Sequence, residues 1–180
     1  MYKAVLFSLL TLASCASHAC PPTLDFEFRQ LASDETVKLC EQYAGQILLV
    51  VNTASRCAFT PQYEGLEAVN ARYAERGFSV VGFPSNDFGG QEPGSEATIQ
   101  KFCRLTCSVD FPMFEKTHVS AQSGAHPFFL TLAREWGAGL PKWNFHKYLL
   151  DREGRVVASY PSSTKPESPQ LIGDIESLLN

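Results

Sequence analysis

The residue with the clearest chemical potential in this 180-residue chain is Cys57, which stands just beyond an apolar run. Residues 47–52 (ILLVVN) have the continuous β-branched and leucine pattern of a strand that is covered on both faces. Thr60 and Pro61 then predict a helix start, because threonine is a good N-cap and proline suits the first helical position. A helix N-terminus favours the thiolate, the reactive form of cysteine. Cys57 is therefore a candidate nucleophile, and the alternative is a packed structural thiol.

The segments that follow Cys57 must form the elements that position it. Apolar residues recur at helical spacing from Tyr63 to Tyr73, and residues 78–83 (FSVVGF) have the pattern of a second buried strand. The order strand, helix, strand over this length predicts a βαβ unit. Its two strands should be parallel and joined by a right-handed crossover.

The second half of the chain adds two helices, a hairpin and a last helix. These elements are expected at residues 95–107, 125–136, 147–160 and 168–179. A βαβ half followed by a ββα half is the thioredoxin arrangement, an α/β fold with a central mixed β-sheet flanked by helices. Ligands in open α/β sheets bind beyond the carboxyl ends of the strands. Cys57, the glycine-rich loop at residues 84–94 and the segment before Lys147 can converge there.

The first nineteen residues have the pattern of an export signal. Lys3 supplies a short positive region, and residues 4–12 are apolar but too few to span a bilayer, which takes roughly 20 apolar residues. Residues 17–19 (SHA), just before Cys20, form a small-x-Ala cleavage site. We expect cleavage there and export to the periplasm.

A second candidate processing site predicts a different mature protein. Residues 12–15 (LASC) resemble the bacterial lipobox, which would make Cys15 a lipidated N-terminus and anchor the protein to the membrane. A third alternative is an N-terminal helix packed on the domain. In each case residues 20–180 form one domain of ordinary length.

Export bears on the cysteines, because an oxidising compartment permits structural disulfides. Cys20 and Cys40 flank residues 26–31, which alternate like a hairpin strand, and residues 36–39 suit the return strand. The sequence therefore predicts an N-terminal β-hairpin closed by a Cys20–Cys40 disulfide. Cleavage before Cys20 leaves five cysteines, an odd number, so at least one thiol is unpaired.

Three segments resemble the signature segments of the glutathione peroxidase family. They are residues 52–57 (NTASRC), 83–94 (FPSNDFGGQEPG) and 143–147 (WNFHK), and they occur in family order and spacing. The similarity runs from about Leu24 to the C-terminus. The resemblance implies a thioredoxin-fold, cysteine-type peroxidase.

The resemblance also implies a catalytic tetrad, made of the peroxidatic Cys57 with Gln91, Trp143 and Asn144. The residue types suit these roles. The two carboxamides can bond a thiolate and peroxide oxygens, and the indole N–H can only donate. Attack by Cys57 on a peroxide oxygen would expel water or an alcohol and leave a sulfenic acid. Fixed donors would stabilise the negative charge that develops on the leaving oxygen.

In similar peroxidases the position of Cys103 carries the cysteine that resolves the sulfenic acid. Ser85 replaces a cysteine that is common in the family's loop, and Cys107, one helical turn after Cys103, is the substitute resolver. We expect Cys103 to pack inward, with its Cα farther from that of Cys57 than the roughly 7 Å limit for a disulfide. Resolution would then need local unwinding of residues 95–107, whose ends both look weakly anchored.

The resemblance and the composition together indicate which substrates and partners to expect. The substrates would be hydrogen peroxide and organic hydroperoxides, and the reductant a thioredoxin-like dithiol protein or glutathione. The short connector between Phe129 and Trp143 favours a monomer, as in family members without the interface insertion. A net charge of −4 disfavours nucleic acid. No cofactor or metal is expected.

Three other interpretations stay open. One is a redox relay that passes oxidation to a partner protein. The second is a thiol–disulfide oxidoreductase, which is weakened because the chain has no Cys-x-x-Cys motif. The third is a zinc site of Cys103, Cys107 and His118, which lacks a clear fourth ligand and leaves Cys57 unexplained.

Overall fold

The computed structural model describes residues 20–137 and 139–180. The expected signal peptide, residues 1–19 with the lipobox Cys15, lies outside the described residues. Within the described part of the chain, no helix combines the length and the hydropathy that a membrane crossing requires.

Eleven helices and strands make up the described chain. In order they are β1 (Glu27–Arg29), β2 (Thr36–Lys38), α1 (Leu39–Tyr43), β3 (Ile47–Thr53), α2 (Gln62–Tyr73), β4 (Phe78–Pro84), α3 (Glu96–Thr106), α4 (Pro127–Trp136), β5 (Lys147–Leu150), β6 (Val156–Tyr160) and α5 (Pro169–Leu179). Short 3₁₀ turns follow α2 and precede α4.

The main sheet has the strand order β4-β3-β5-β6. Strand β3 pairs in parallel with β4, from Ile47 opposite Phe78 to Thr53 opposite Pro84. Strand β5 pairs antiparallel with both β3 and β6. The predicted βαβ unit, the C-terminal hairpin and the thioredoxin fold are therefore confirmed.

Strand β3 lies in the middle of the sheet and is buried along its whole length. Leu49 and Val51 face the core beneath α2, α3 and α5, whereas Leu48 and Val50 face the aromatic core beneath α4 and the N-terminal hairpin. This alternation is the period of two that a strand imposes. Packing on both faces fixes where β3 ends, and Cys57 follows that end.

The N-terminal hairpin is present in the expected place. Strands β1 and β2 are antiparallel, with Phe28 opposite Val37. Cys20 and Cys40 form a disulfide whose Cα atoms are 5.9 Å apart, so the predicted pairing is confirmed. Both cysteines pack against the aromatic core, and the bond ties the start of the described chain to α1.

Replacing both Cys20 and Cys40 with serine should lower the free energy of unfolding by about 3 kcal/mol, because the bond closes a loop of about 20 residues in the unfolded chain. Urea denaturation of the oxidised protein and the double variant measures the difference. The oxidised protein treated with reductant should match the double variant. Equal midpoints before and after reduction would contradict the prediction.

Candidate active site

Cys57 lies in a tight turn between β3 and α2, and it is 9% exposed. The backbone N–H of Phe59 donates to Cys57 Sγ at 3.4 Å. The amide of Phe59 belongs to the turn that leads into α2 and not to the helix itself, which begins at Gln62. Such an N–H stabilises negative charge on sulfur.

Thr60 has a different role from the one its position suggests. Helix α2 begins at Gln62, and no side chain caps its first turn. Thr60 Oγ1 instead accepts from the Cys57 backbone N–H and donates to the Ala54 carbonyl, both at 3.0 Å. The predicted N-cap is therefore wrong. The hydroxyl bonds to the cysteine turn that precedes the helix, because the backbone groups of that turn also need partners.

Gln91 belongs to the loop after β4, and this loop reaches the cysteine turn. The backbone N–H of Arg56 donates to the Gln91 carbonyl at 3.0 Å, which joins the two segments one residue from Cys57. Gly89 has a φ of +65°, which favours glycine, and it lies against the Gln91 side chain. The loop can therefore turn tightly enough to present the Gln91 amide.

Glu92, which is not among the site residues that the sequence predicts, makes a second link between these segments. It is 1% exposed and accepts a hydrogen bond from the Ser55 hydroxyl at 3.0 Å. Burial raises the pKa of the Glu92 carboxyl, although the bond from Ser55 opposes this. A glutamate in a glycine- and proline-rich loop is normally exposed, so its burial has no signal in the local sequence.

Asp87 holds the other side of the same loop. Its carboxylate accepts from the backbone N–H groups of Val119 and Ser120 at 2.7 and 2.9 Å, and it pairs with His118 Nδ1 at 2.8 Å. Burial raises the pKa of Asp87, but these hydrogen bonds outweigh burial and lower it overall. His118 therefore anchors a loop.

The zinc interpretation is not supported by these positions. His118 is bonded to Asp87, whereas Cys103 lies against Tyr63. Among residues 20–137 and 139–180, no three Cys, His, Asp or Glu side chains are grouped as metal ligands.

The turn that carries Trp143 and Asn144 is held by Asn52, at the end of β3. The Asn52 amide donates to the Trp143 carbonyl at 3.2 Å and accepts from the His146 N–H at 3.1 Å. The Asn52 carbonyl accepts from the Phe145 N–H at 2.7 Å. Phe145 has a φ of +63°, an unfavourable conformation for a phenylalanine that these bonds maintain.

Asn144 and Gln91 meet side chain to side chain. Asn144 Nδ2 donates to Gln91 Oε1 at 2.9 Å, and Asn144 is fully buried. Asn144 Oδ1 is buried too and has no hydrogen-bond partner among the described residues. Buried acceptors of this kind are rare in folded proteins, and they are often found at functional sites.

Trp143 lies at the rim of the site. Its side chain is 39% exposed, and its ring lies 5.7 Å from that of Phe88 in the loop after β4. The structure thus brings the three predicted segments to one end of the sheet. Cys57 is joined to Gln91 through Arg56, and Gln91 to Asn144 directly.

Cys103 is directed into the core, as predicted. It is 2% exposed, packs in one cluster with Ile99 and donates its thiol to the Tyr63 hydroxyl at 3.6 Å. Burial raises the pKa of the Cys103 thiol to about 11. Cys107 is half-buried and lines an open groove of about 360 Å³ beside Thr60. The Cα separation between Cys57 and Cys103 stays a prediction.

The N-terminal end of α3 is firmly anchored, so that part of the prediction is wrong. Glu96 accepts two hydrogen bonds from Arg29, at 2.7 and 2.8 Å, and one from the Lys116 N–H. These bonds lower the pKa of the Glu96 carboxyl, the bond from Arg29 most strongly. The local sequence could not show this, because Arg29 belongs to the distant N-terminal hairpin.

The C-terminal end of α3 is held by main-chain bonds, in which the Cys107 N–H donates to the Phe102 carbonyl at 3.3 Å and the Val109 N–H to the Cys103 carbonyl at 3.0 Å, so the weak anchor expected there stays a prediction. Leu105 is 74% exposed, and Ser108 has a φ of +51°, which glycine adopts at much lower cost. Unwinding of α3 should therefore begin at Cys107 and proceed toward Cys103.

Comparisons with known proteins agree with this geometry. The family model described as glutathione peroxidase matches residues 24–133. The hydroperoxy fatty acid reductase gpx1 of Synechocystis sp. is 45% identical over 163 residues, covering 86% of this chain and 95% of that protein. The glutathione peroxidase-like peroxiredoxin gpx1 of Schizosaccharomyces pombe is 46% identical over 137 residues, covering 75% and 85%. The crystal structure of Trgpx in apo form has a TM-score of 0.67 and 35% identity, covering 87% of this chain and 95% of that one.

The fold and these matches define a thiol peroxidase built on the thioredoxin fold. Within that class, the chain belongs to the glutathione peroxidase family.

Replacing Gln91 or Asn144 with alanine should slow the oxidation of Cys57 by about 10²-fold, because each change breaks the amide pair and removes one of the groups that would bond the peroxide. Rapid-mixing kinetics with trapping of the sulfenic acid measures this step. Gln46→Ala is the matched control, since Gln46 precedes β3 at the end opposite to Cys57 and its side chain bonds to the Gln42 carbonyl. Unchanged kinetics in both site variants would remove these residues from the active site.

The disulfide that forms after peroxide treatment should join Cys57 to Cys103. Peptide mapping by mass spectrometry under non-reducing conditions identifies the pair, with the untreated protein as control. Because Arg29 holds Glu96 at the N-terminal end of α3, hydrogen exchange should rise first at the other end, near Cys107 and Ser108, in the oxidised form. A bridge between Cys57 and Cys107, or no bridge within the chain, would show that Cys103 is not the resolving thiol.

Proposed function

We propose that Cys57 reduces hydroperoxides by direct attack on oxygen. The thiolate sulfur bonds to one peroxide oxygen, the O–O bond breaks, and the other oxygen leaves with a proton as water or an alcohol. Cys57 becomes a sulfenic acid. The observation that carries this proposal is the amide pair of Gln91 and Asn144, held at 2.9 Å and tied through Arg56 to the cysteine turn.

The amide pair suits a hydroperoxide because it offers both a donor and an acceptor. The Gln91 amide nitrogen is unpartnered among the described residues, and the buried Asn144 Oδ1 lacks a donor. A hydroperoxide O–H would donate to that acceptor, and the Gln91 N–H would donate to the leaving oxygen. The Trp143 indole adds a further donor at the rim. These dipoles are fixed before reaction, so they need no reorganisation in the transition state.

Organic hydroperoxides are proposed substrates beside hydrogen peroxide. The Synechocystis relative is named a hydroperoxy fatty acid reductase. In this chain, an open groove of about 320 Å³ next to the cysteine turn is lined partly by Ala58, Phe59, Pro61 and Pro166. An alkyl group attached to the peroxide would gain by leaving water for such a surface.

Recycling of the sulfenic acid is proposed to proceed through a disulfide. The Cys103 thiolate attacks the Cys57 sulfur, water leaves, and two external thiols then reduce the disulfide. A thioredoxin-like dithiol protein or glutathione would supply those thiols. The Schizosaccharomyces pombe relative, named a peroxiredoxin, is consistent with thiol recycling.

The periplasm is the proposed location, and a monomer is the proposed state. The Cys20–Cys40 disulfide supports export, since such bonds seldom persist in a reducing cytosol. Residues 1–19 provide the candidate signal, and lipidation at Cys15 is the alternative that would attach the protein to a membrane.

A redox relay is the second candidate function, and the burial of Cys103 favours it. A resolving thiol that is 2% exposed and has a raised pKa reacts slowly. A long-lived Cys57 sulfenic acid could then react with a thiol of a partner protein.

The purified protein should consume peroxide catalytically with thioredoxin or glutathione, supplied in separate assays. Cys57→Ser should abolish consumption while the circular dichroism spectrum stays unchanged, because serine provides no accessible oxyanion. If neither reductant supports turnover while Cys57 is still oxidised stoichiometrically, the relay is favoured. Full activity of Cys57→Ser would overturn the proposed mechanism.

A further inference from the structure

Lys147 is the only buried cation among residues 20–137 and 139–180, and its exposure is 0%. It is the first residue of β5, three positions after Asn144. In the sheet it lies between Val51 of β3 and Tyr160 of β6. A buried charge is costly unless it is fully hydrogen-bonded, so its contacts need a physical reason.

The Lys147 ammonium donates three hydrogen bonds and meets no carboxylate in doing so. Its acceptors are Gln62 Oε1 and the Phe145 carbonyl, both at 2.7 Å, and the Thr164 carbonyl at 3.0 Å. An ammonium group has three N–H donors, and the site offers three acceptors. A neutral amine would leave one acceptor without a donor. The geometry therefore suits the charged form, although burial lowers the pKa of Lys147 to about 7.

Two of the three acceptors, on Gln62 and Phe145, belong to segments that adjoin the candidate active site. Gln62 donates its backbone N–H to the Phe59 carbonyl at 2.9 Å, and the Phe59 N–H faces the Cys57 sulfur. Phe145, in its left-handed conformation, is bonded covalently to Asn144. One ammonium group thus connects the cysteine turn with the turn that carries Asn144.

We infer that Lys147 is a positioning residue for peroxide reduction. It fixes the distance between the Cys57 turn and the Asn144 turn without touching the substrate. An apolar side chain of similar size would avoid the desolvation cost and could even raise stability. It could not satisfy the three acceptors, however, and the two turns would lose their common support. This inference rests on the proposed attack of Cys57 on peroxide.

The test uses Lys147→Met in the full chain with Cys15, Cys103 and Cys107 replaced by serine, so that Cys57 is the only cysteine outside the Cys20–Cys40 disulfide. Two rates are measured, oxidation of Cys57 by hydrogen peroxide and alkylation of Cys57 by iodoacetamide. Oxidation needs the amide pair in place, whereas alkylation needs only an accessible thiolate. We expect oxidation to fall at least tenfold and alkylation to change less than threefold. Lys101→Met, on the exposed surface of α3, is the matched control and should change neither rate.

Gln62→Met provides a second variant in case Lys147→Met fails to fold. It removes one acceptor of the ammonium group, and oxidation should again fall more than alkylation. Equal falls in both rates, or no fall in oxidation, would overturn the positioning role. If the parent chain, which keeps Lys147, shows no oxidation of Cys57, the proposed function is overturned as well. The parent assay therefore distinguishes that outcome from failure of the positioning role alone.

Discussion

The arrangement of the candidate active site depends on Asn52, a polar residue at the buried end of the central strand. Strand β3 is packed on both faces, so the backbone and side chain of Asn52 must find partners inside the protein. They find them in the turn at residues 143–146, which they hold through hydrogen bonds to Trp143, Phe145 and His146. The positive φ of Phe145 persists because of these bonds. Strand burial thereby fixes the position of Asn144.

Buried polar links then connect the other segments around Cys57. Ser55 bonds to Glu92 on one side of the site, and Gln62 bonds to Lys147 on the other. Hydrogen bonds of this kind are stronger in a low-dielectric interior, and leaving either partner unpaired there is costly. The segments therefore resist relative movement, which is the condition for donors that stabilise developing charge without reorganising.

The two ends of helix α3 are held in different ways. Glu96 is bonded to Arg29, whereas the other end terminates at Ser108 in a left-handed conformation. Between them Cys103 is buried in the core against Tyr63. A thiol in this position is protected from chance oxidation. As the proposed resolving thiol, Cys103 would need the C-terminal end of α3 to open, so stability and redox turnover would make opposite demands on the same helix.

The sequence by itself determined the order of the elements, the central strands and the three segments that form the site, because periodicity and turn residues are local signals. Ser168, for example, caps α5, and a serine just before a proline is a local signal for such a helix start. Thr60 does not cap α2, because its hydroxyl accepts a hydrogen bond from the Cys57 backbone N–H instead. The partners of Glu96 and Lys147 were decided only by the tertiary structure. Several of their hydrogen bonds join residues that are far apart in the chain, such as Glu96 with Arg29 and Lys147 with Gln62. No local pattern records which distant side chain such a charge will meet.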